Sequence, residues 1–208
     1  MFRLRVCDNY IRNMKSINLY LYILCSAFLL GGCRNQNDEI KDNLLIMKSK
    51  SVKIPFTDMS CWINDSIMNN RPWERAKMKL IVYMDSISCV ESTMSYMSFW
   101  DDYVQLENKY EDMFYIFFIM KSEKLDVRML SSYFHYTGLN HPIYIDSTNV
   151  FMKNNPHIPS KDKYHTFLLD EDNNVILVGN PLYNSRIGNM LEKTIEGKMR
   201  RVCFHKQG

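Results

Sequence analysis

The fold is indicated most clearly by the stretch "KLIVYMDSISCVES", residues 79–92. Its first half, 79–85, is an almost unbroken apolar run, which is typical of a strand buried on both faces of a sheet. Cys89 follows after a short connection, and residues 90–110 carry apolar side chains at helical spacing. The pattern therefore predicts a central strand that leads through Cys89 into a helix.

Strand and helix patterns alternate through the rest of the chain, which predicts an α/β fold with a mixed β-sheet flanked by helices. The further predicted strands are 52–56, 113–120, 141–146, 164–170 and 174–179, and the predicted helices are 123–138, 147–155 and 184–197. "EDNN" predicts a hairpin turn between the last two strands. Ser147 is expected to begin the short helix, and Asn184 and Gly197 to begin and end the last one. Residues 63–78 have the composition of a loop.

The N-terminus has the pattern of a secretion signal. Lys15 precedes an apolar run from Ile17 to Leu30, which is too short to span a bilayer and matches the core of a signal peptide. The run ends Leu30-Gly31-Gly32-Cys33, which resembles the lipobox of bacterial lipoproteins. That resemblance implies that Cys33 is acylated and anchors the protein to the lipid bilayer of the cell envelope. Met14 already begins a complete signal and is an alternative start.

These features divide the chain into successive parts. We predict a lipoprotein signal peptide at 1–32, a lipidated tether and N-terminal segment at 33–50, an N-terminal extension at 51–75, an α/β domain at 76–197 and a basic C-terminal tail at 198–208. After removal of the signal, the cysteines are Cys33, Cys61, Cys89 and Cys203. Three thiols besides the lipidated one is an odd number, so at least one is free or pairs between molecules.

Charge and glycine content exclude several partners. The formal net charge is +3, and the excess lies within the first 32 residues, so the body carries no basic surplus to attract nucleic acid. No Gly-rich phosphate loop is present, which argues against a nucleotide. The five histidines show no metal-ligand spacing in the sequence. We therefore expect no cofactor, no metal, no nucleic acid and no nucleotide.

The order of these motifs resembles the thioredoxin fold. The stretch D-S-x-x-C-x-x-S followed by Trp100, together with "HTFLLDEDN" and "GNP", is similar to a group of thioredoxin-like lipoproteins related to membrane-anchored thiol-disulfide reductases. The resemblance covers about residues 76–197, and the strand and helix at 141–155 resemble the insertion of that family. It implies thiol-disulfide chemistry at Cys89 with envelope proteins or small thiols as partners.

The chain departs from the family at two positions. The usual motif is C-x-x-C, and its second, resolving cysteine falls on Ser92. The family's cis-proline falls on Tyr164, and because a non-proline cis bond costs about 3 kcal/mol, we expect a trans bond and an altered groove there. Ser92 cannot resolve a mixed disulfide because a hydroxyl is a poor nucleophile without a base. Cys61 and Cys203 are candidate distant resolving thiols.

Cys89 remains the candidate nucleophile. A helix N-terminus lowers the pKa of a thiol placed there, whereas the carboxylate of Glu91 opposes that effect if it lies close. His165 is expected near this helix start, either as an acid–base partner of the thiol or as a histidine hydrogen-bonded at a strand end. Asp85 either relays protons or caps the connection to the helix.

Two functions therefore stay open. The first is a cell-envelope lipoprotein that performs single-thiol disulfide exchange through Cys89, with less redox activity than C-x-x-C relatives. The second is a non-catalytic thioredoxin-fold binding module that reuses the former active-site face, with Cys89 as a small semi-buried apolar residue. Accessibility and pKa of the Cys89 thiol distinguish the two.

Overall fold

The computed structural model describes residues 36–63, 66–85, 97–110, 113–122 and 141–205. The strands are β1 (Ser60–Ile63), β2 (Ser66–Ile67), β3 (Met78–Met84), β4 (Phe114–Lys121), β5 (Ile143–Asp146), β6 (Thr166–Leu169) and β7 (Val175–Val178). The α-helices are α1 (Gln36–Met47), α2 (Asp101–Lys109), α3 (Val150–Asn154) and α4 (Ser185–His205). Short 3-10 turns occupy Phe56–Asp58, Pro72–Arg75, Met97–Trp100 and Asp162–Tyr164. Within these ranges, no helix has the length and apolar character needed to cross a membrane.

The seven described strands form one mixed sheet in the order β2-β1-β5-β4-β3-β6-β7. The three strands β3, β4 and β5 run parallel, and β6 and β7 form an antiparallel hairpin against the other side of β3. Parallel strands joined to a hairpin and followed by a closing helix are the arrangement predicted from the motif order. The chain therefore has a thioredoxin-like α/β fold, and β5 with α3 forms the predicted inserted unit.

The central strand β3 is buried on both faces, and its side chains alternate between two apolar clusters. Leu80, Val82 and Met84 face the cluster that includes Trp100 and side chains of α4. Ile81 and Tyr83 face the cluster on the opposite side of the sheet, which includes α3 and the segment before β1. Burial on both faces explains why the sequence of this strand is almost continuously apolar.

The predicted strand at 52–56 is wrong. Pro55 lies within this segment, and a 3-10 turn begins at Phe56. The side-chain amide of Asn155 satisfies the backbone of Lys53 instead of a neighbouring strand, because it accepts from the Lys53 N–H at 2.8 Å and donates to the Lys53 carbonyl at 2.7 Å. The loop predicted at 63–78 is partly wrong as well, since β2 and the last residue of β1 fall within it.

Two helix termini also differ from the prediction. The carboxylate of Asp146, not Ser147, accepts the N–H groups of Val150 and Phe151 at the start of α3. At α4 the predicted cap is confirmed, since the Asn184 side chain accepts from the Arg186 N–H. The helix does not end at Gly197, however, and continues to His205.

The polar segment predicted as a tether is helical from Gln36 to Met47. Asp38 and Glu39 lie in its first turn, where the free N–H groups of a helix interact favourably with negative charge. The strands and the other three helices belong to one compact unit, Asn43–Gly208. Two predicted segments lie outside the described residues, namely the helix at 123–138 and the first part, 90–96, of the helix at 90–110.

Candidate functional site

The candidate site lies where β3 ends. The carbonyl of His165 accepts the Tyr83 N–H at 2.9 Å, so the antiparallel neighbour of β3 brings His165 to this end of the strand. Asp85 directly follows β3, and its Oδ2 lies 3.9 Å from Nδ1 of His165. Two titratable side chains that are far apart in sequence therefore meet immediately before the segment that contains Cys89.

His165 is held in one orientation by a backbone contact. Its Nε2 lies 3.1 Å from the carbonyl oxygen of Pro159, and because a carbonyl only accepts, Nε2 carries the proton of this hydrogen bond. The ring also packs edge-on against Tyr83, with 5.3 Å between the ring centroids. Nδ1 is buried and has no hydrogen-bond partner among the described residues. The interpretation of a histidine hydrogen-bonded at a strand end thus accounts for only one of the two ring nitrogens.

A second carboxylate faces the same ring nitrogen. Oδ1 of Asp162, in the 3-10 turn before β6, lies 4.0 Å from Nδ1 of His165. The three side-chain atoms of Asp85, Asp162 and His165 lie within 4.8 Å of one another. Spacing along the sequence did not reveal this group because the fold, rather than a local motif, brings Asp85 beside the turn.

The same end of the sheet carries further negative charge. Burial raises the pKa of the Tyr83 hydroxyl, and the charges of Asp146 and Asp85 raise it further. Tyr83 stays protonated and donates to the side-chain oxygen of Asn149 at 3.0 Å. The carboxylates of Asp85 and Asp146 thus lie near enough to the end of β3 to act on the Tyr83 hydroxyl.

Tyr164 is the residue onto which the sequence resemblance placed the cis-proline position, and its side chain is buried in the core. Its hydroxyl accepts from the side-chain amide of Asn43 at 3.1 Å, and the ammonium of Lys163 lies 5.0 Å from its ring centroid. No cis peptide bond occurs in the described ranges, so the predicted trans bond at Tyr164 is confirmed. The Tyr164 ring therefore packs in the core and does not face solvent.

Four of the predicted site residues, Cys33, Cys89, Glu91 and Ser92, lie outside the described residues, and their roles stay predictions. Cys61 is described, and it is buried in β1 opposite Tyr144. Burial raises the pKa of its thiol to about 11. A buried thiol that stays protonated is unsuited to the resolving role considered for it.

Sequence reasoning missed a buried, hydrogen-bonded pair of a carboxylate and a histidine in another part of the sheet. Both carboxylate oxygens of Glu107 lie 3.1 Å from Nε2 of His141, and one of them also accepts the Ile116 N–H. The other ring nitrogen of His141 lies 3.1 Å from the Pro142 carbonyl. Neither residue belongs to a motif, because helix α2 and the residues before β5 meet only in the fold.

Comparison with known proteins gives matches only among solved structures. No family model and no curated protein matches the chain. A protein from Bacteroides thetaiotaomicron proposed to be a protein disulfide isomerase is 13% identical, with a TM-score of 0.44 over 76% of this chain and 98% of its own. A protein from Bacteroides vulgatus proposed to be a thiol-disulfide oxidoreductase is 12% identical, with a TM-score of 0.45 over 72% of this chain and 93% of its own. The thioredoxin domain of a thiol-disulfide oxidoreductase from Bacteroides vulgatus is 13% identical, with a TM-score of 0.39 over 69% of this chain and 99% of its own.

Proposed function

We propose that this protein is a cell-envelope lipoprotein that exchanges disulfides through the single thiol of Cys89. The observation that supports this proposal most is the contact between Asp85 and His165 at the end of β3. Cys89 follows Asp85 by only four positions, so a pair of titratable groups stands close in sequence to the candidate thiol. Active sites are places where such groups are brought together to adjust pKa values.

The reaction is an exchange with no net oxidation. The Cys89 thiolate attacks one sulfur of a substrate disulfide, a new S–S bond forms to Cys89, and the released thiolate takes up a proton. A thiol of a small molecule or of an envelope protein then attacks the mixed disulfide and regenerates Cys89. Ser92 cannot carry out this second step, so an external thiol is required. His165 is the candidate acid–base partner, because its Nδ1 makes no hydrogen bond within the described ranges.

Anchoring through Cys33 belongs to the same proposal. Acylation of this cysteine at the end of the signal peptide would hold the protein at a membrane of the envelope. Envelope proteins and small thiols are the proposed exchange partners. This assignment derives from the lipobox and the motif order, and it does not depend on the chemistry of Cys89.

The alternative is a binding module without redox activity. It is favoured by one observation, namely that Tyr164 is buried with its hydroxyl bonded to Asn43, where the family uses a proline of the substrate groove. Under this alternative Cys89 is a packing residue. It does not react with disulfides at a rate above that of a buried thiol.

Mixed-disulfide formation separates the two functions. The full chain is incubated with oxidised glutathione, and the Cys89 peptide is identified by mass spectrometry. We expect the glutathione adduct to accumulate on Cys89, and we expect the Ser92→Cys variant to release the adduct by forming an internal disulfide. Cys89→Ser is the control. Failure of Cys89 to form the adduct in the folded protein would reject thiol exchange and favour the binding module.

A further inference from the structure

We propose that Asp85, Asp162 and His165 form a binding site for a divalent metal cation of the zinc class. This inference goes beyond thiol exchange, because it concerns His165 Nδ1 and two carboxylates and requires nothing of Cys89. The three residues come from the end of β3 and from the turn that precedes β6. Imidazole nitrogen together with carboxylate oxygen is a ligand set that Zn²⁺ and neighbouring first-row cations accept.

The spacing of the ligand atoms suits such an ion. Nδ1 of His165 lies 3.9 Å from Asp85 Oδ2 and 4.0 Å from Asp162 Oδ1. The two carboxylate oxygens lie within 4.8 Å of each other, so the three atoms surround a point roughly 2.0–2.5 Å from each, close to the ~2.0–2.2 Å bonds that nitrogen and oxygen make to Zn²⁺. Movements of a few tenths of an ångström, well within the reach of a surface aspartate, would complete the bonds. Water would fill the remaining coordination positions.

The protonation of His165 provides a separate argument. Since Nε2 donates to the Pro159 carbonyl, a neutral ring carries its lone pair on Nδ1, and that lone pair faces two carboxylates. A lone pair on a ring nitrogen shielded from water is unfavourable opposite carboxylate oxygens unless a positive charge lies between them. The His165 side chain is only 3% exposed, so water is largely excluded from its ring. A cation bound to Nδ1 resolves this arrangement.

The surroundings of His165 match those of known metal ligands. A histidine that binds a metal through one nitrogen usually donates its other N–H to a carbonyl or carboxylate, which fixes the ring orientation. The Pro159 carbonyl has this role here. Asp85 is 31% exposed and Asp162 is 73% exposed, so an ion can reach the site from solvent. A proton bound to Nδ1 would also place a positive charge between the ring and the carboxylates. The experiment must therefore distinguish a bound proton from a bound metal ion.

Zinc binding by the full chain, measured by equilibrium dialysis in a Cys89→Ser background, tests the proposal. Asp162→Asn removes one ligand at an exposed position where folding should not be affected. Asp172→Asn removes the same charge from the exposed β6–β7 turn and is the matched control. We expect Asp162→Asn to weaken binding by at least about tenfold and Asp172→Asn to leave it unchanged. Equal affinity of the two variants, or no saturable binding, would overturn the proposal.

A spectroscopic measurement separates metal binding at this site from binding by the other cysteines. The ring signals of His165 are assigned in an NMR spectrum by comparison with His165→Gln. We expect added Zn²⁺ to shift them and to leave the signals of His141 in place. A His165 ring that stays protonated on both nitrogens at saturating Zn²⁺ would reject the site. Because the background lacks the Cys89 thiol, failure here leaves the thiol-exchange proposal untouched. Success would assign Nδ1 to the metal and remove His165 from the role of acid–base partner while the ion is bound.

Discussion

Removal of the Glu107 carboxylate is expected to destabilise the protein strongly. Strand β5 pairs with β4 only from Ile143 opposite Phe118, so Ile116 lies before the first paired residue. Extending that register by two residues places His141 opposite Ile116. The Glu107 carboxylate accepts both the Ile116 N–H and the His141 Nε2–H, and thereby replaces the missing strand partner.

The expected magnitude comes from the burial of this pair. The side chains of Glu107 and His141 are 8% and 4% exposed, so water cannot replace the carboxylate. Removing the carboxylate leaves two buried donors, the Ile116 N–H and the His141 Nε2–H, without an acceptor, which costs about 1–3 kcal/mol for each donor and about 2–6 kcal/mol for both. We expect Glu107→Ala to lose that amount from the free energy of unfolding. Glu107→Gln keeps one acceptor oxygen and should lose less, about 1–3 kcal/mol.

Urea denaturation followed by circular dichroism measures the loss. Glu192→Ala, on the exposed face of α4, is the matched control and should change the free energy of unfolding by less than about 0.5 kcal/mol. The slope of the transition should stay constant, so that only its midpoint moves. A loss below about 1 kcal/mol in Glu107→Ala would refute the argument that this carboxylate completes the sheet.

Two further predictions concern α4 and Cys61. Gly197→Ala should raise the free energy of unfolding by about 0.5–1 kcal/mol, because the residue is inside α4 and a Cβ there meets no atom within 4 Å. Gly188→Ala should gain less or lose, since its Cβ would lie 2.7 Å from the Tyr103 hydroxyl; equal urea midpoints for the two variants would contradict this. Burial raises the pKa of Cys61 from an ordinary 9.0 to about 11, so between these pH values the folded protein keeps a proton that the unfolded chain loses. The contribution of the buried thiol to the free energy of unfolding is therefore complete below pH 9 and declines towards pH 11. Between pH 8 and pH 10.5 the urea midpoint should fall further for the wild-type protein than for Cys61→Ala. An equal fall in the two proteins would contradict the raised pKa of Cys61 as its cause.

The elements that sequence predicts well are those with strong and long patterns. Strands β3 and β4 were predicted because runs of five and seven consecutive apolar residues, 80–84 and 114–120, leave little ambiguity. The β6–β7 hairpin was predicted because polar turn residues separate two apolar runs. Strand β2 has only two residues, both exposed, and carries no such pattern. The end of α4 was misplaced because glycine often terminates a helix but is also tolerated within one.

The candidate site was predicted only where a motif or the fold resemblance pointed to it. The resemblance placed His165 near the start of the Cys89 helix, which lies outside the described residues, so that position stays a prediction. The described residues place His165 beside Asp85, directly after β3. Asp162 was not predicted, because a lone aspartate in a turn has no distinguishing spacing. The Glu107–His141 pair was missed for the same reason, since tertiary packing alone determines which buried polar side chains meet.

The pH dependence of Cys89 alkylation tests the proposed function most directly. The intact chain is labelled with iodoacetamide, and the labelled cysteines are identified by mass spectrometry. The Cys61 peptide is an internal control and should label slowly at every pH at which the protein stays folded. We expect Cys89 to label rapidly, with a midpoint below the ~8.5 of a free thiol. Labelling of Cys89 as slow as that of Cys61 until the protein unfolds would contradict thiol exchange.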